Sequence, residues 1–430
     1  MVNAALSLYG LITCCLLAIV SSTVWWMLYA WRRPETRSVA DGRLQGTSTA
    51  AAPSFSLLVP ARHEQDVLAA TLERLGELDY PDFEVIVVVG HDDLATQQVA
   101  YRASASPRAN ITVVIDNSWP KSKPKALNSG LSSCTKEIVG VFDAEDEVSL
   151  DILRQVGPAF AEHGADIVQA GVQLVTFHDR WFSLRNCLEY LFWFRSRIHA
   201  HARKGIVPLG GNTVFFRREL LEQYGGWDGE CLAEDCEIGI RLCSRGARAV
   251  VSYDPRFATR EETPASLRAF VRQRTRWSQG YIQVFRRGHW RMLPTRRQRM
   301  TTAYILLFPV LQGLAGLFIL ASVVTIAAVK MPLELAMFTS LPALAQVIVV
   351  CLEAAGLAEL CRTFYLRCRW YDYLLLVVTA IPYQLVLAFA AARATWREVC
   401  GDAGWEKTVH VGAHRAPAAQ VLTAPARLEA

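Results

Sequence analysis

Residues 142–147 read FDAEDE, which sets four carboxylates, Asp143, Glu145, Asp146 and Glu147, within five positions. Like charges at that spacing repel, and a fold tolerates them best with a cation among them. Hard oxygen donors with open positions suit Mg²⁺ or Mn²⁺ held jointly with the phosphates of a substrate. A solvated acidic turn or a helix N-terminus accounts for the same residues equally well. A second acidic pair, Glu234-Asp235, opens a stretch with helical spacing through Ile238 and Leu242. That position suits an N-cap, and it also suits a carboxylate held rigidly toward a pocket to accept a proton. A third cluster, Gln273-Arg274-Thr275-Arg276-Trp277, lies in a basic and aromatic segment.

A layered sheet would bring these clusters together. Apolar runs at 55–60, 83–89, 111–115 and 137–142 read as strands, separated by helical spacing at 66–78, 97–104 and 125–131. Strand, helix, strand, helix is the pattern of an α/β fold with a mostly parallel sheet, and ligands of such sheets sit beyond the carboxyl ends of the strands. Arg62, Asp92, Asp93 and the acidic run all follow strand ends. Further along, 150–163 predicts a helix, 165–175 one strand, and 214–216 another after the glycine turn Gly210-Gly211-Asn212, where backbone can approach a ligand closely. The segment 181–204 is too charged to span a bilayer and very aromatic; it reads as a helix at a membrane interface or beside a substrate channel, or as a core helix with one polar face. The chain has no GxxxxGK[ST], no GxGxxG after a strand, no HExxH and no GxSxG, so ATPase, dinucleotide, zinc-protease and serine-hydrolase readings lose support.

Hydrophobic residues make up 52% of the 430, and they are blocky. Residues 4–27, 304–329, 341–360 and 373–391 are each about long enough to cross a bilayer, which takes ~20 residues as helix. The first carries an aromatic belt, Trp25, Trp26, Tyr29 and Trp31, and is followed at once by Arg32, Arg33, Arg37 and Arg43. It therefore reads as an anchor rather than a cleaved signal, with the large block that follows on the cytosolic side of a cell (inner or plasma) membrane. Eleven cysteines without CxxC pairing indicate free thiols rather than a zinc site or a disulfide framework. A net charge of +5 is modest, and the membrane flanks of the basic segment 268–299 favour an anionic bilayer surface over nucleic acid.

Taken in order, VPARHE (59–64), HDD (91–93), KPKALN (123–128), DAED (143–146), GGN (210–212), AED (233–235) and QRTRW (273–277) resemble the membrane-embedded family-2 glycosyltransferases, the group of cellulose, chitin and hyaluronan synthases. The resemblance spans about residues 53 to 300 and implies a GT-A-like nucleotide-sugar-binding domain, α/β with a mostly parallel sheet, plus transmembrane α-helices. It implies a UDP-sugar donor, with Arg62, Glu64, Asp92 or Asp93, Lys125, Asp143, Gln273, Arg276 and Trp277 on the nucleotide sugar. It places Mg²⁺ or Mn²⁺ on Asp143 with Glu145 or Asp146, the general base at Asp235 beside Glu234, and the acceptor near Gly211, Asn212 and Trp277. Ala233 stands where threonine is common in the family.

The domain plan expected is a transmembrane helix over 1–31, a linker over 32–53 and a cytosolic transferase domain over 54–267. An interfacial segment over 268–300, three hydrophobic helices over 301–395 and a polar tail over 396–430 follow, with the Ala- and Pro-rich 411–430 expected to be disordered. The activity expected is inverting transfer from a UDP-sugar to a growing polysaccharide. Transfer of one or a few sugars to a lipid or short acceptor is the alternative, and a non-catalytic nucleotide-sugar-binding membrane partner is the reading of another class. An export or assembly partner is compatible with any of them.

Overall fold

The computed structural model describes residues 2–32, 52–106, 110–328, 333–402, 404–406 and 411–415. Most of the expected linker, 33–51, and the end of the tail, 416–430, lie outside the described residues.

The strands are β1 (Phe55–Ala61), β2 (Phe83–Gly90), β3 (Ile111–Asp116), β4 (Ile138–Val141), β5 (Ile167–Ala170), β6 (Val172–Leu174), β7 (Val214–Arg217), β8 (Ala249–Ser252) and β9 (Thr259–Glu261). Seven form one sheet in the order β3-β2-β1-β4-β7-β5-β8. Within it only β7 runs against the others. Both faces are covered, which explains why the central strands are continuous apolar runs rather than alternating ones. Leu57, Val59, Val85 and Val87 point into one core with Phe142 and Phe215. Leu58, Ile86, Val88, Val139 and Val141 point into the other with Phe216 and Trp227.

Two expectations are modified. The single strand expected over 165–175 is two, because the chain leaves the main sheet at Gly171, where any Cβ would stand 2.7 Å from the Tyr253 ring. The continuation, β6, pairs with β9. The helix expected over 181–204 is interrupted by a π-helical turn, Trp193–Arg197, between Ser183–Phe192 and Ile198–Ala202. Its first part buries Leu184, Leu188 and Leu191 against Leu357, Leu360 and Leu376 of the apolar helices, so this segment joins the sheet to them.

Among the described residues three helices are long and apolar enough to cross a membrane, or four if a bent pair counts as one. They lie in Val2–Arg32, Arg296–Ala328 and Leu333–Thr363. The pair is Trp370–Val378 and Ala380–Val399, bent by 52°. Pro382, two residues into the second member, cannot donate to the carbonyl four residues back. At the break Arg185 donates to the Leu376 carbonyl and to Thr379 Oγ1, each at 2.5 Å. The same guanidinium pairs with Glu353 at 2.8 Å, and Glu359 pairs with Arg195 while accepting from Trp31 Nε1 at 2.8 Å. The two acids that interrupt the apolar run 341–360 are thus both neutralised, as charges in such surroundings require.

The amphipathic helix Leu267–Arg287 locks the apolar helices to the domain. It lies so close to the start of helix Glu234–Ser244 that a Cβ on Gly280 would stand 2.4 Å from the Ala233 Cβ and 2.5 Å from the Ala233 nitrogen. Gln283 Oε1 accepts from the Leu232 N–H at 3.0 Å, and Arg287 pairs with Asp228. Gly280→Ala is therefore expected to cost about 1–3 kcal/mol by overpacking, read as a lowered melting temperature together with lost donor turnover. Gly313→Ala is the control, since its Cβ would meet the Ala391 Cβ at an ordinary 3.6 Å. Equal melting temperatures for the two variants would refute the close contact.

Candidate active site

Each of the first four strands ends in a polar turn at one sheet edge. After β1, Arg62 donates to Asp92 at 2.9 Å, both at the surface. Asp93, buried, caps helix Leu94–Ser104 by accepting from Thr96 N and also accepts from the His63 N–H at 2.5 Å. Burial works against its ionisation, but the His63 and Thr96 donors outweigh it and hold the carboxyl below the usual range. Of the two acids after β2, Asp93 is thus bound up in the loop, whereas Asp92 faces outward. Glu64, also buried, closes the same loop through its backbone, its N–H donating to Thr96 Oγ1 at 3.1 Å. Asp116, at the end of β3, accepts from Ser118 and Ser129 and pairs with Lys121 at 3.1 Å. No motif pointed to it, since a lone Asp after a strand is ordinary.

Lys123 stands where the edge deepens. It occupies the first turn of helix Lys123–Leu131, and helical side chains there point back past the N-terminus. Its Nζ pairs with Asp143 and donates to the Gly211 carbonyl at 2.8 Å. Burial disfavours this ammonium, but Asp143, Glu234 and Asp235 together hold its pKa above the ordinary value. A Cβ on Gly211 would lie 3.2 Å from Asp235 Oδ2 and 3.4 Å from Lys123 Nζ, so glycine here lets carboxylate, cation and backbone meet. Lys125, two residues on, pairs instead with the exposed Glu230 at 2.7 Å. The KPK spelling offers two lysines, and only the helix start decides which one faces inward.

The acidic run divides its labour. Asp143 faces Lys123. Asp146, fully buried, accepts from the Asp143 N–H at 2.8 Å and from Asn212 Nδ2 at 2.9 Å. Burial and the neighbouring Glu261, Asp143 and Glu145 charges push its pKa well up. Glu145 is buried beside it. Asn212 also donates to Glu261, which ties the glycine turn to the run. Among the described residues no three His, Cys, Asp or Glu side chains gather into a ready-made metal site. The donor set fits Mg²⁺ or Mn²⁺ held by one or two carboxylates of the run, Asp143 with Glu145 or Asp146, with the remaining ligands from a diphosphate.

Glu234 and Asp235 open helix Glu234–Ser244, with Asp235 Oδ1 accepting from Cys236 N at 2.7 Å. Burial and the Asp235 charge push Glu234 up to about 7, against the pull of Lys123 and Arg276. Burial raises Asp235 as well. The QRTRW residues lie on helix Leu267–Arg287. Arg274 pairs with Glu189, donates to Asn186 Oδ1 at 2.5 Å and lies over the Trp277 ring at 4.8 Å, so it builds the scaffold. Arg276 stacks on Trp405 at 4.4 Å, and its charge reaches both Glu234 and Asp235. Among the described residues Arg276 Nε and Gln273 Oε1 are buried without partners, which is costly unless a ligand supplies them.

The tail also comes to the site. Arg393 and Arg397 hold Glu406, and Gln279 donates to the Asp402 carbonyl at 2.7 Å. Beyond it, Arg415 donates to the backbone carbonyls of Val67, Glu145 and Asp146 at 2.8, 3.0 and 3.2 Å, and Glu262 accepts from the Val411 N–H at 2.6 Å. Residues 411–415 are therefore seated on the acidic run rather than disordered. Trp405 and Arg415 were not predicted; Trp405-Glu406-Lys407 reads only as an interfacial cluster in sequence.

This sheet, with its acidic run facing a lysine and a buried carboxylate pair, is that of a GT-A glycosyltransferase. Residues 52–280 match the family model "Glycosyltransferase like family 2", and the chain belongs to that family. A β-monoglucosyldiacylglycerol synthase of Synechocystis is 30% identical over 255 residues, covering 58% of this chain and 52% of that protein. A poly-β-1,6-N-acetyl-D-glucosamine synthase of Staphylococcus epidermidis is 22% identical over 266 residues, covering 62% of this chain and 63% of that protein. The chain thus spans little more than half the length of these curated relatives. A mannosyltransferase of Pyrobaculum calidifontis, solved with GDP-Man and Mn²⁺, shares the fold with a TM-score of 0.60 at 22% identity, over 91% of this chain and 99% of that one.

The two lysines give a direct test. Lys123→Met is expected to lower kcat about 10²–10³-fold, the usual cost of removing one preorganised charge partner. Lys125→Met loses only the pair with the exposed Glu230 and is expected to change kcat less than about fivefold. Steady-state donor turnover of both variants checks this, and the opposite ranking would move the binding role to Lys125.

Proposed function

We propose that this chain is an inverting β-glycosyltransferase that moves a sugar from a UDP-sugar to a growing polysaccharide at the membrane. The observation that carries the reading is the convergence of Lys123, Asp143, Gly211 and Asp235 on one point of the sheet edge. Asp235 takes the proton of an acceptor hydroxyl, and the freed oxygen bonds to C1 of the sugar from the face opposite the diphosphate. The C1–diphosphate bond breaks, and the leaving charge falls on Lys123 and Arg276. A divalent ion bound at Asp143 with Glu145 or Asp146 would neutralise part of that charge. Arg62 and Asp92 lie at the nucleoside end of the edge, Gln273 and Trp277 cover the donor, and Gly211 and Asn212 border the acceptor.

A second reading, transfer of one or a few sugars to a lipid, is supported by the name of the Synechocystis relative, a diacylglycerol glucosyltransferase. Release of nucleoside diphosphate by the reconstituted protein, across UDP-sugars and GDP-mannose with Mg²⁺ or Mn²⁺, tests the transferase. Turnover is expected with one donor and is expected to vanish in Asp235→Asn; product size separates polymer from single transfer. Silence with every donor despite nucleotide binding would favour a non-catalytic partner.

The same assay reads the carboxylate pair. Two adjacent acids titrate as a unit, and the upper step belongs to both. Activity is expected to fall as pH drops through about 7, the Glu234 value. Glu234→Gln removes one negative charge, so the Asp235 anion is easier to form and the acidic limb shifts to lower pH. An unmoved limb would exclude Asp235 as the titrating base.

For orientation, we infer a cytosolic domain at the inner membrane. Glu359 near the end of helix Leu333–Thr363 meets Trp31 at the end of helix Val2–Arg32, so both helices finish on the domain side. Both ends of helix Ala380–Val399 then touch helix Leu267–Arg287: Tyr383 meets Phe270, and Glu398 pairs with Arg286 at 2.5 Å. The bent pair on this reading enters and leaves by the same face. A C-terminal epitope should be protected in spheroplasts while an N-terminal one is cleaved; cleavage of both would sink this topology.

A further inference from the structure

An open groove of about 390 Å³ lies beside the ends of helices Val2–Arg32 and Arg296–Ala328 and shares no lining residue with the sheet-edge site; it is lined by Ser22, Trp25, Trp26, Lys204, Met300 and Tyr304 among others. Its base is fixed: Ser22 and Tyr304 share a hydrogen bond of 2.8 Å, and the Trp26 and Tyr304 rings stand 5.7 Å apart. Its wall is apolar and open, with Trp25 and Met300 42% and 62% exposed.

The charged side chain in its lining, Lys204, is a cation. Lys204 Nζ lies 5.8 Å from the Trp25 ring centre, and Gln298 holds the Lys204 carbonyl at 2.7 Å. Arg297 immediately precedes Gln298 at this contact, so the two cations are near neighbours, and burial, then the charge of Arg297, lower the Lys204 pKa. Behind the wall, Arg197 sits 4.0 Å from the Trp26 ring centre and 5.3 Å from that of Trp193. Among the described residues no carboxylate comes within 4.0 Å of Lys204, Arg197 or Arg297, although most other partly buried cations of the chain are paired. An apolar wall with unpaired cations at its mouth complements an anion joined to a hydrocarbon chain.

We propose that this groove binds an anionic phospholipid of the bilayer, its phosphate on Lys204 and Arg297 and an acyl chain against Trp25, Trp26 and Met300. The site is separate from the sheet edge and needs no turnover, so its test is independent of the transferase reading. The full chain, delipidated in detergent, is titrated with phosphatidylglycerol or phosphatidylcholine, and the first bound lipid is followed by native mass spectrometry. Phosphatidylglycerol is expected to bind at least tenfold tighter, and Lys204→Gln/Arg297→Gln is expected to erase that preference while sparing phosphatidylcholine. Arg297→Gln alone, on an exposed side chain, is expected to lower the phosphatidylglycerol affinity severalfold and serves if the double variant does not fold. Equal binding of the two lipids by the natural chain, or unchanged phosphatidylglycerol affinity in Arg297→Gln, would overturn the proposal. Displacement of the lipid by millimolar glycerol phosphate would also overturn it, by assigning the cations to a soluble phosphate.

Discussion

The site depends on a single ammonium. Lys123 is the basic side chain that meets Asp143 directly while feeling the charges of Glu234 and Asp235. Removing three carboxylates from water is expensive, and Lys123, with the Arg276 charge that reaches Glu234 and Asp235, offsets only part of the cost. The remainder appears in the acids themselves, since both Glu234 and Asp235 are raised by burial. A pocket left under-neutralised in this way favours a ligand that brings positive charge of its own, such as a metal–diphosphate. It also leaves a carboxylate basic enough to accept a proton from a hydroxyl.

Backbone contact, rather than charge, sets the geometry of that pocket. Gly211 and Gly280 each remove a side chain where two elements touch: one between Asp235 and Lys123, the other between helix Leu267–Arg287 and Ala233. The second contact explains why a small residue, Ala233, precedes the acidic pair. It also means that Arg276 and Asp235, far apart in sequence, belong to one rigid corner, with Gln283 pinning the Leu232 N–H beside it. Any shift of the apolar helices that tilts helix Leu267–Arg287 is transmitted to Asp235 directly.

The sheet was legible because both of its faces are buried, so four strands show as unbroken apolar runs and their polar ends mark the edge. The family was legible because its motifs fall in order along that edge. Three features were not, each for a local reason. Which lysine of KPK enters the site follows from where a helix begins, and both positions satisfy the same pattern. The split of 165–175 follows from the Tyr253 ring pressing on Gly171, a contact made across many residues of sequence. The place of the tail follows from Arg393, Arg397 and Arg415, whose partners lie elsewhere or on backbone carbonyls that no composition reveals.

The acids within the apolar helices belong to the same logic. Read alone, Glu353 and Glu359 weaken the case for a span in 341–360. In the fold each meets an arginine from the segment 183–202, and that segment in turn packs on the sheet. Arg185 additionally takes the carbonyl exposed where the last apolar helix breaks. These paired charges hold the membrane-directed helices at a fixed height against the domain. Hydrophobic packing alone would let apolar helices slide, because one apolar contact resembles the next. An ion pair has one register, and here two of them place Trp31, the break at Thr379 and the sheet edge in a single frame.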